Sequence, residues 1–168
     1  MTSRTAGPPV VFVDVDGPLI PFRERARPAR VRSLDQTGNP LLHRLDPADG
    51  GRLVALGCEL VWATSWLADA NEIISPRLAL PELPVVEWPD DDADPAAGVH
   101  WKTAGLTRWA TGRVFIWLDD EITDRDRRWV AAHHPHPALL HRVDPDQGLT
   151  AADYEKVRGW LEKNRDGS

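Results

Sequence analysis

Two aspartates one residue apart and followed by glycine, Asp14-Val15-Asp16-Gly17, end a short apolar run, Val10-Val11-Phe12-Val13. Three further reactive groups sit against similar runs. Thr64-Ser65 follows Leu60-Val61-Trp62-Ala63, Asp119-Asp120-Glu121 follows Val114-Phe115-Ile116-Trp117-Leu118, and Lys102 opens the helix-like stretch before that last run. Carboxylates gathered in one place repel and raise one another's pKa unless a cation neutralises them. An all-oxygen set with room for substrate suits Mg2+, which keeps waters and takes one or two carboxylates plus a phosphate. Beside Mg2+ and an ammonium, one carboxylate can attack phosphorus and form an aspartyl-phosphate. A second carboxylate two residues on can protonate the leaving oxygen and then activate water. Gly17 permits a sharp turn that lets the backbone approach a phosphate. Thr64 can donate to a phosphoryl oxygen, and Lys102 offsets charge on the nucleophile and on the transferring group.

These residues meet only if the runs are strands of one sheet. Continuous rather than alternating apolar character predicts strands buried on both faces, as in a parallel sheet. A weaker run, Val85-Val86, lies between prolines, and a fifth is Ala138-Leu139-Leu140. Helices are predicted from Asp46-Pro47 to Gly57, over Trp66 to Ile74, over Trp101 to Ala110, over Ile122 to Ala132, and from Thr150 to Lys163, where Thr150 and Asp153 have capping-box spacing. The alternation predicts an α/β fold, a doubly wound, Rossmann-like, mostly parallel five-stranded sheet with helices on both faces. Ligands gather at the carboxyl ends of such strands, which is where the reactive groups fall. A single domain is expected over residues 10–164, with a flap or loop insert at about 18–44 and tails at 1–9, read as disordered, and 165–168.

In order, VFVDVDG, LVWATS, a lone lysine and FIWLDDE resemble the four motifs of the haloacid dehalogenase-like (HAD) hydrolase superfamily. The resemblance implies Asp14 as nucleophile and metal ligand, and Asp16 as acid/base that also lends its main-chain carbonyl to the metal. It implies Thr64 and Lys102 as phosphoryl ligands. Of the acidic pair, Asp120 is the first choice as direct ligand and Asp119 the second, with Asp124 a candidate assistant. Ser65 is a further candidate, read foremost as a helix cap. More narrowly, VWATSWLADANEII, LPELPVVEWP, HWKT and WLDDEI are similar to HAD domains associated with RNA-repair proteins, which implies a phosphatase acting on nucleic-acid ends. One departure is Pro18, where a threonine often follows the first motif; its missing hydroxyl bears on how the acid/base is held. Receiver domains carry similar groups, but their acidic pair comes first and their lysine last.

The stretches between motifs are too short for a separate cap domain, so an open site is expected, suited to a bulky substrate such as an RNA or DNA end. Next to the first motif lie Arg23, Arg25, Arg27, Arg30 and Arg32, whose guanidinium forks could hold a polyanion, although a solvated loop is the plainer reading. Trp66 and Trp101 flank proposed catalytic positions and could wall the site or stack on a base; packing is the default for all eight tryptophans. Asp90-Asp91-Asp92 with Asp94 reads as a hydrated loop, and Pro135 and Pro137 spoil metal-ligand spacing among His133, His134 and His136.

Composition narrows the class. The 168 residues are 42% hydrophobic and 27% charged, as in a folded domain, with no run near the roughly 18 apolar residues a membrane span needs. A net charge of −6 argues against bulk coating of nucleic acid while allowing a local basic patch. The single cysteine, Cys58, excludes an internal disulfide and fits a reducing compartment; with no secretory signal in residues 1–9, a cytoplasmic protein is expected. The expected function is a Mg2+-dependent phosphatase working through an aspartyl-phosphate, its partner a phosphorylated substrate. The alternatives are a small-molecule phosphomonoesterase and a non-catalytic HAD-fold binding module or partner subunit.

Overall fold

The computed structural model describes residues 7–23, 41–88 and 98–165. Four strands form one parallel sheet: β1 (Val10–Val13), β2 (Glu59–Trp62), β3 (Phe115–Asp119) and β4 (Ala138–Arg142), in the order β2-β1-β3-β4. The two central strands, β1 and β3, are buried at every residue, which is why their sequences are unbroken apolar runs. Side chains nevertheless divide by parity. Val11, Val13, Leu60, Trp62, Ile116 and Leu118 belong to one core with Leu53, Tyr154 and Leu161. Val10, Phe12, Val61, Ala63, Phe115 and Trp117 belong to a second with Leu106 and Val130. The first three partners of that division lie on α1 (Ala48–Val54) and α5 (Ala151–Asn164), the last two on α3 (Thr103–Trp109) and α4 (Asp124–His133).

The run expected fifth, Ala138-Leu139-Leu140, forms β4, whereas the weaker Val85-Val86 run shrinks to one isolated bridge, Trp62↔Val85. Trp62 N–H donates to Pro84 O and Val86 N–H to Trp62 O, both at 2.9 Å, but Pro84, two residues before Val86, has no N–H with which to extend the ladder. The predicted Trp66 to Ile74 helix also differs. After β2 the chain turns through Leu67 at φ 52, makes a π-helical turn over Ala70–Ile74, and enters a short α2 (Ser75–Arg77). Pro76 cannot donate to Glu72 O, and Ser75 N–H reaches five residues back to Ala70 O. Asn71 holds this turn in place: its amide exchanges two 2.8 Å bonds with the Leu83 backbone and accepts from Trp62 Nε1 at 3.1 Å.

Helices α4 and α5 both begin with Thr-x-x-Asp capping boxes, Thr123–Asp126 and Thr150–Asp153. Within the expected tails, Pro8 O accepts two bonds from Arg113, and Arg165 donates to Leu56 O and Gly57 O. Of the expected flap, Pro18 to Pro21 are buried, and Arg44 donates to Pro21 O and Phe22 O, pinning its two ends together; residues 24–40 lie outside the described residues. Among the described residues no helix is long and apolar enough to cross a membrane.

Candidate active site

Strand register alone brings the first and last motifs together. Val13 pairs with Trp62 on one side and with Leu118 on the other. One step further along, Asp14 lies beside Asp119 on β3 and level with Ala63, the residue before Thr64, on the other side, with Asp14 N–H donating to Leu118 O at 3.1 Å and Ala63 N–H to Val13 O at 2.9 Å. Lys102, just before α3, closes the arrangement: its Nζ is 3.1 Å from Asp14 Oδ1 and 2.9 Å from Asp119 Oδ2, with all three side chains nearly buried. Asp119 Oδ1 accepts from Glu121 N–H at 3.0 Å, so both of its oxygens are occupied.

Asp120 completes an acidic triad. Asp14, Asp119 and Asp120 each offer one carboxylate oxygen, all within 4.8 Å of one another. Burial, opposed by Lys102 and reinforced by Asp119, pushes the Asp14 carboxyl up to about 7. Burial and then Asp119 push Asp120 up to about 6. Burial works to lower the Lys102 ammonium, but Asp14 and Asp119 prevail and raise it. One ammonium therefore pairs with two of the three acids, Asp14 and Asp119, and burial makes Asp14 and Asp120 unfavourable as anions. This hard-oxygen cluster, short of positive charge, is a set of residues that could hold a divalent cation.

The Asp14 to Gly17 loop is held against that cluster. Gly17 has φ +100, and a Cβ on it would meet Asp120 Cγ at 2.7 Å, so the close approach its missing side chain permits is to Asp120. Gly17 N–H donates to Ile20 O, and Asp16 is left exposed, its Oδ2 accepting from Trp66 Nε1–H at 3.0 Å. Thr64 is fully buried; its hydroxyl oxygen accepts from Trp66 N–H, and its carbonyl accepts from Trp88 Nε1–H, both at 3.2 Å. Thr64 thus takes the cap-like bond expected of Ser65, which is exposed.

Two residues that sequence reasoning did not single out position the lysine. His100 Nδ1 accepts from Lys102 N–H at 3.2 Å, which leaves Nε2–H to donate to Glu121 at 2.7 Å. Asp126, fully buried, accepts from His100 N–H at 2.7 Å and Thr103 Oγ1–H at 2.9 Å on one oxygen, and from Thr123 N–H and Oγ1–H on the other. Burial raises the Asp126 carboxyl, but those donors outweigh it and hold it below the ordinary carboxylate value. Its signal was available in the Thr123-x-x-Asp126 spacing, the same one that marked α5. Trp101, 47% exposed, stacks on His100 and lies 5.4 Å by its ring centre from Lys102 Nζ, with Trp88 edge-on behind it.

Other candidates fall elsewhere. Asp124 is the first residue of α4, its side chain 81% exposed and paired with Arg127 at 2.7 Å, so the structure does not bring it to the triad. Arg23 is exposed and 3.5 Å from Asp146, while Arg25, Arg27, Arg30, Arg32 and the Asp90 to Asp94 run lie outside the described residues. Of the histidines, His133 Nδ1 bonds to Trp129 O and His134 Nε2 to Arg113 O.

A family model described as the HAD domain in Swiss Army Knife RNA repair proteins matches residues 10–154. The chain belongs to that family. The match spans every strand of the sheet and every residue of the cluster, from Asp14 to Asp126. No curated protein and no solved structure matches the chain. As a HAD domain, the chain is assigned to a family of hydrolases, and the acidic triad with its lysine stands at the sheet edge where an α/β fold binds ligands.

Proposed function

We propose that this HAD domain is a Mg2+-dependent phosphatase that hydrolyses a phosphomonoester at a nucleic-acid end through an aspartyl-phosphate on Asp14. The observation that carries the reading is the Lys102 ammonium shared between Asp14 and Asp119, with Asp120 beside them. A purely structural ion pair needs one acid; here one ammonium pairs with two, a third stands beside them, and burial with mutual repulsion disfavours the anions of Asp14 and Asp120.

Asp14, Asp120 and secondarily Asp119 would hold Mg2+, together with the main-chain carbonyl of Asp16; when bound, the ion neutralises the acids and withdraws charge from a phosphoryl oxygen. Asp120 is preferred to Asp119 because both oxygens of Asp119 are already engaged. Lys102 favours the anion of Asp14 against its burial and draws the phosphoryl oxygens toward it. Asp14 attacks phosphorus, the bond to the leaving oxygen breaks, and Asp16 gives that oxygen its proton. Asp16 then takes a proton from water as the water attacks phosphorus and releases Asp14. Gly17 leaves the backbone room, and Thr64 is the candidate hydroxyl donor to the phosphoryl group.

The nucleic-acid end rests on the RNA-repair description of the matching family and on the short inserts, which leave no length for a cap. The test is phosphate release, with Mg2+, from 3′- and 5′-phosphorylated oligonucleotides and from small phosphomonoesters. The reading expects turnover on an oligonucleotide end and none in Asp14→Asn. Preference for a small ester would replace the substrate class, and metal binding without turnover would make the chain a binding module.

A further inference from the structure

The Asp16 carboxyl is exposed and sits on a turn, a poor place from which to deliver a proton in a fixed direction. The next residue after Gly17 is Pro18, which has neither a hydroxyl nor an N–H to offer it. The donor comes instead from fifty residues away, as Trp66 Nε1–H gives a 3.0 Å hydrogen bond to Asp16 Oδ2. Trp66 is itself anchored. Its N–H is held by Thr64 Oγ1, its carbonyl accepts from Asp69 N–H at 3.1 Å, and its ring packs on the core that contains Val13 and Val15. Thr64 is fastened in turn by Trp88.

We propose that Trp66 is the positioning residue of the acid/base, a role that rests on the phosphatase reading above. An indole N–H can only donate, so the oxygen facing it is the acceptor, carbonyl-type oxygen of the acid. The acidic proton is thereby assigned to Oδ1. In the first half-reaction the bond from phosphorus to the leaving oxygen breaks and the Oδ1 proton passes to that oxygen, giving the free alcohol. In the second half-reaction Oδ1 takes the proton of the attacking water, the bond from phosphorus to Asp14 breaks, and inorganic phosphate departs. Trp66 touches none of the reacting atoms; it selects which oxygen of Asp16 exchanges the proton and holds it still.

The test is Trp66→Phe, which keeps an aromatic ring and removes the donor, assayed with Mg2+ on two esters. An alkyl phosphate, such as a phosphorylated oligonucleotide end, needs its leaving oxygen protonated; p-nitrophenyl phosphate does not. The expected result is a kcat/KM lower by about tenfold or more on the alkyl ester and changed by less than about twofold on the aryl ester. An equal fall on both, or no fall on either, overturns the proposal. A second readout is independent of turnover: the Trp66 indole 1H–15N resonance, assigned through Trp66→Phe, should move upfield and exchange faster with solvent in Asp16→Ala. An unmoved resonance overturns the proposal. If the resonance moves but the wild-type protein cleaves neither ester, the phosphatase reading has failed and takes the catalytic role with it, while the bond stands.

Discussion

Gly17 and Asp120 lie so close that a methyl group on the glycine would fall 2.7 Å from Asp120 Cγ. The contact clamps the loop bearing Asp14 and Asp16 onto the loop bearing Asp119 and Asp120. Gly17→Ala meets two obstacles at once, a left-handed φ of +100 and a carboxylate that is a candidate metal ligand. The backbone conformation alone costs about 1–2 kcal/mol for an L side chain. The variant should stay folded, lose Mg2+ affinity measurably by calorimetry, and lose most phosphatase turnover. Undiminished Mg2+ binding would show that Asp120 takes no part in holding the ion.

Lys102 is the group on which the buried acids depend. Replacing it by methionine leaves Asp14 and Asp119 without their common partner, and breaking a buried pair from one side typically costs about 3–5 kcal/mol. Lys102→Met should therefore melt well below the wild type without metal, and should lose turnover. Asp14→Asn should lose turnover as completely. Its melting temperature, however, should equal or exceed that of the wild type in metal-free buffer at neutral to alkaline pH, because burial disfavours the Asp14 anion. In the Lys102→Met background Asp14→Asn should stabilise by more than it does in the wild type, because the anion it removes has lost its partner, and a double-mutant cycle of melting curves measures that coupling. Additive effects would contradict the shared-ammonium arrangement.

Asp14 at about 7 and Asp120 at about 6 also set a direction for pH. Both are raised above the ordinary value of 3.8, so the folded chain holds protons that the unfolded chain has already released. The metal-free protein should consequently lose stability as pH rises from about 4 through about 7. Mg2+ competes with those protons. Its stabilising effect should be slight near pH 5 and full above about pH 7.5, so the gap between melting curves with and without Mg2+ widens with pH. A gap that stays constant or narrows over that range would show that these acids do not receive the ion.

The legible parts of this molecule were those governed by a repeat or a local signal. The runs that became β1 and β3 are buried on both faces, so their apolar residues are consecutive and their ends visible; the acids that follow them are placed by register alone. Local chemistry was enough for α5, through Thr150 and Asp153. The same spacing at Thr123 and Asp126 caps α4, while Asp124, nearer the acidic pair in sequence, is the first helical residue and pairs with Arg127 at the surface. The strand at Val85 failed for a physical reason, since prolines cannot continue a ladder. The bonds from Trp66 to Asp16 and from His100 to Asp126 join loops far apart in the chain. No periodicity announces contacts of that kind, and they become visible only when the sheet has brought its loops together.

Asp126 supplies the last prediction. It accepts four hydrogen bonds, two from the segment carrying Lys102 and two from the start of α4, and it has no contact with water. Asp126→Ala leaves those donors unpaired in a buried place and deletes half of the α4 capping box. A loss of about 3 kcal/mol is expected, larger than a surface cap would give. Beyond stability, His100 is no longer held from behind, and with it the backbone N–H of Lys102 loses its fixed acceptor. Turnover measured well below the melting point should therefore fall with KM less affected than kcat, because the ammonium that steadies Asp14 has lost its support. Asp126→Asn keeps one acceptor oxygen and should fall between the two. Glu121→Gln provides the contrast: it weakens only the exposed end of the His100 contact and should shift stability by less than about 0.5 kcal/mol. Equal effects of Asp126→Ala and Glu121→Gln on melting and on kcat would remove the grounds for treating Asp126 as the support of the lysine.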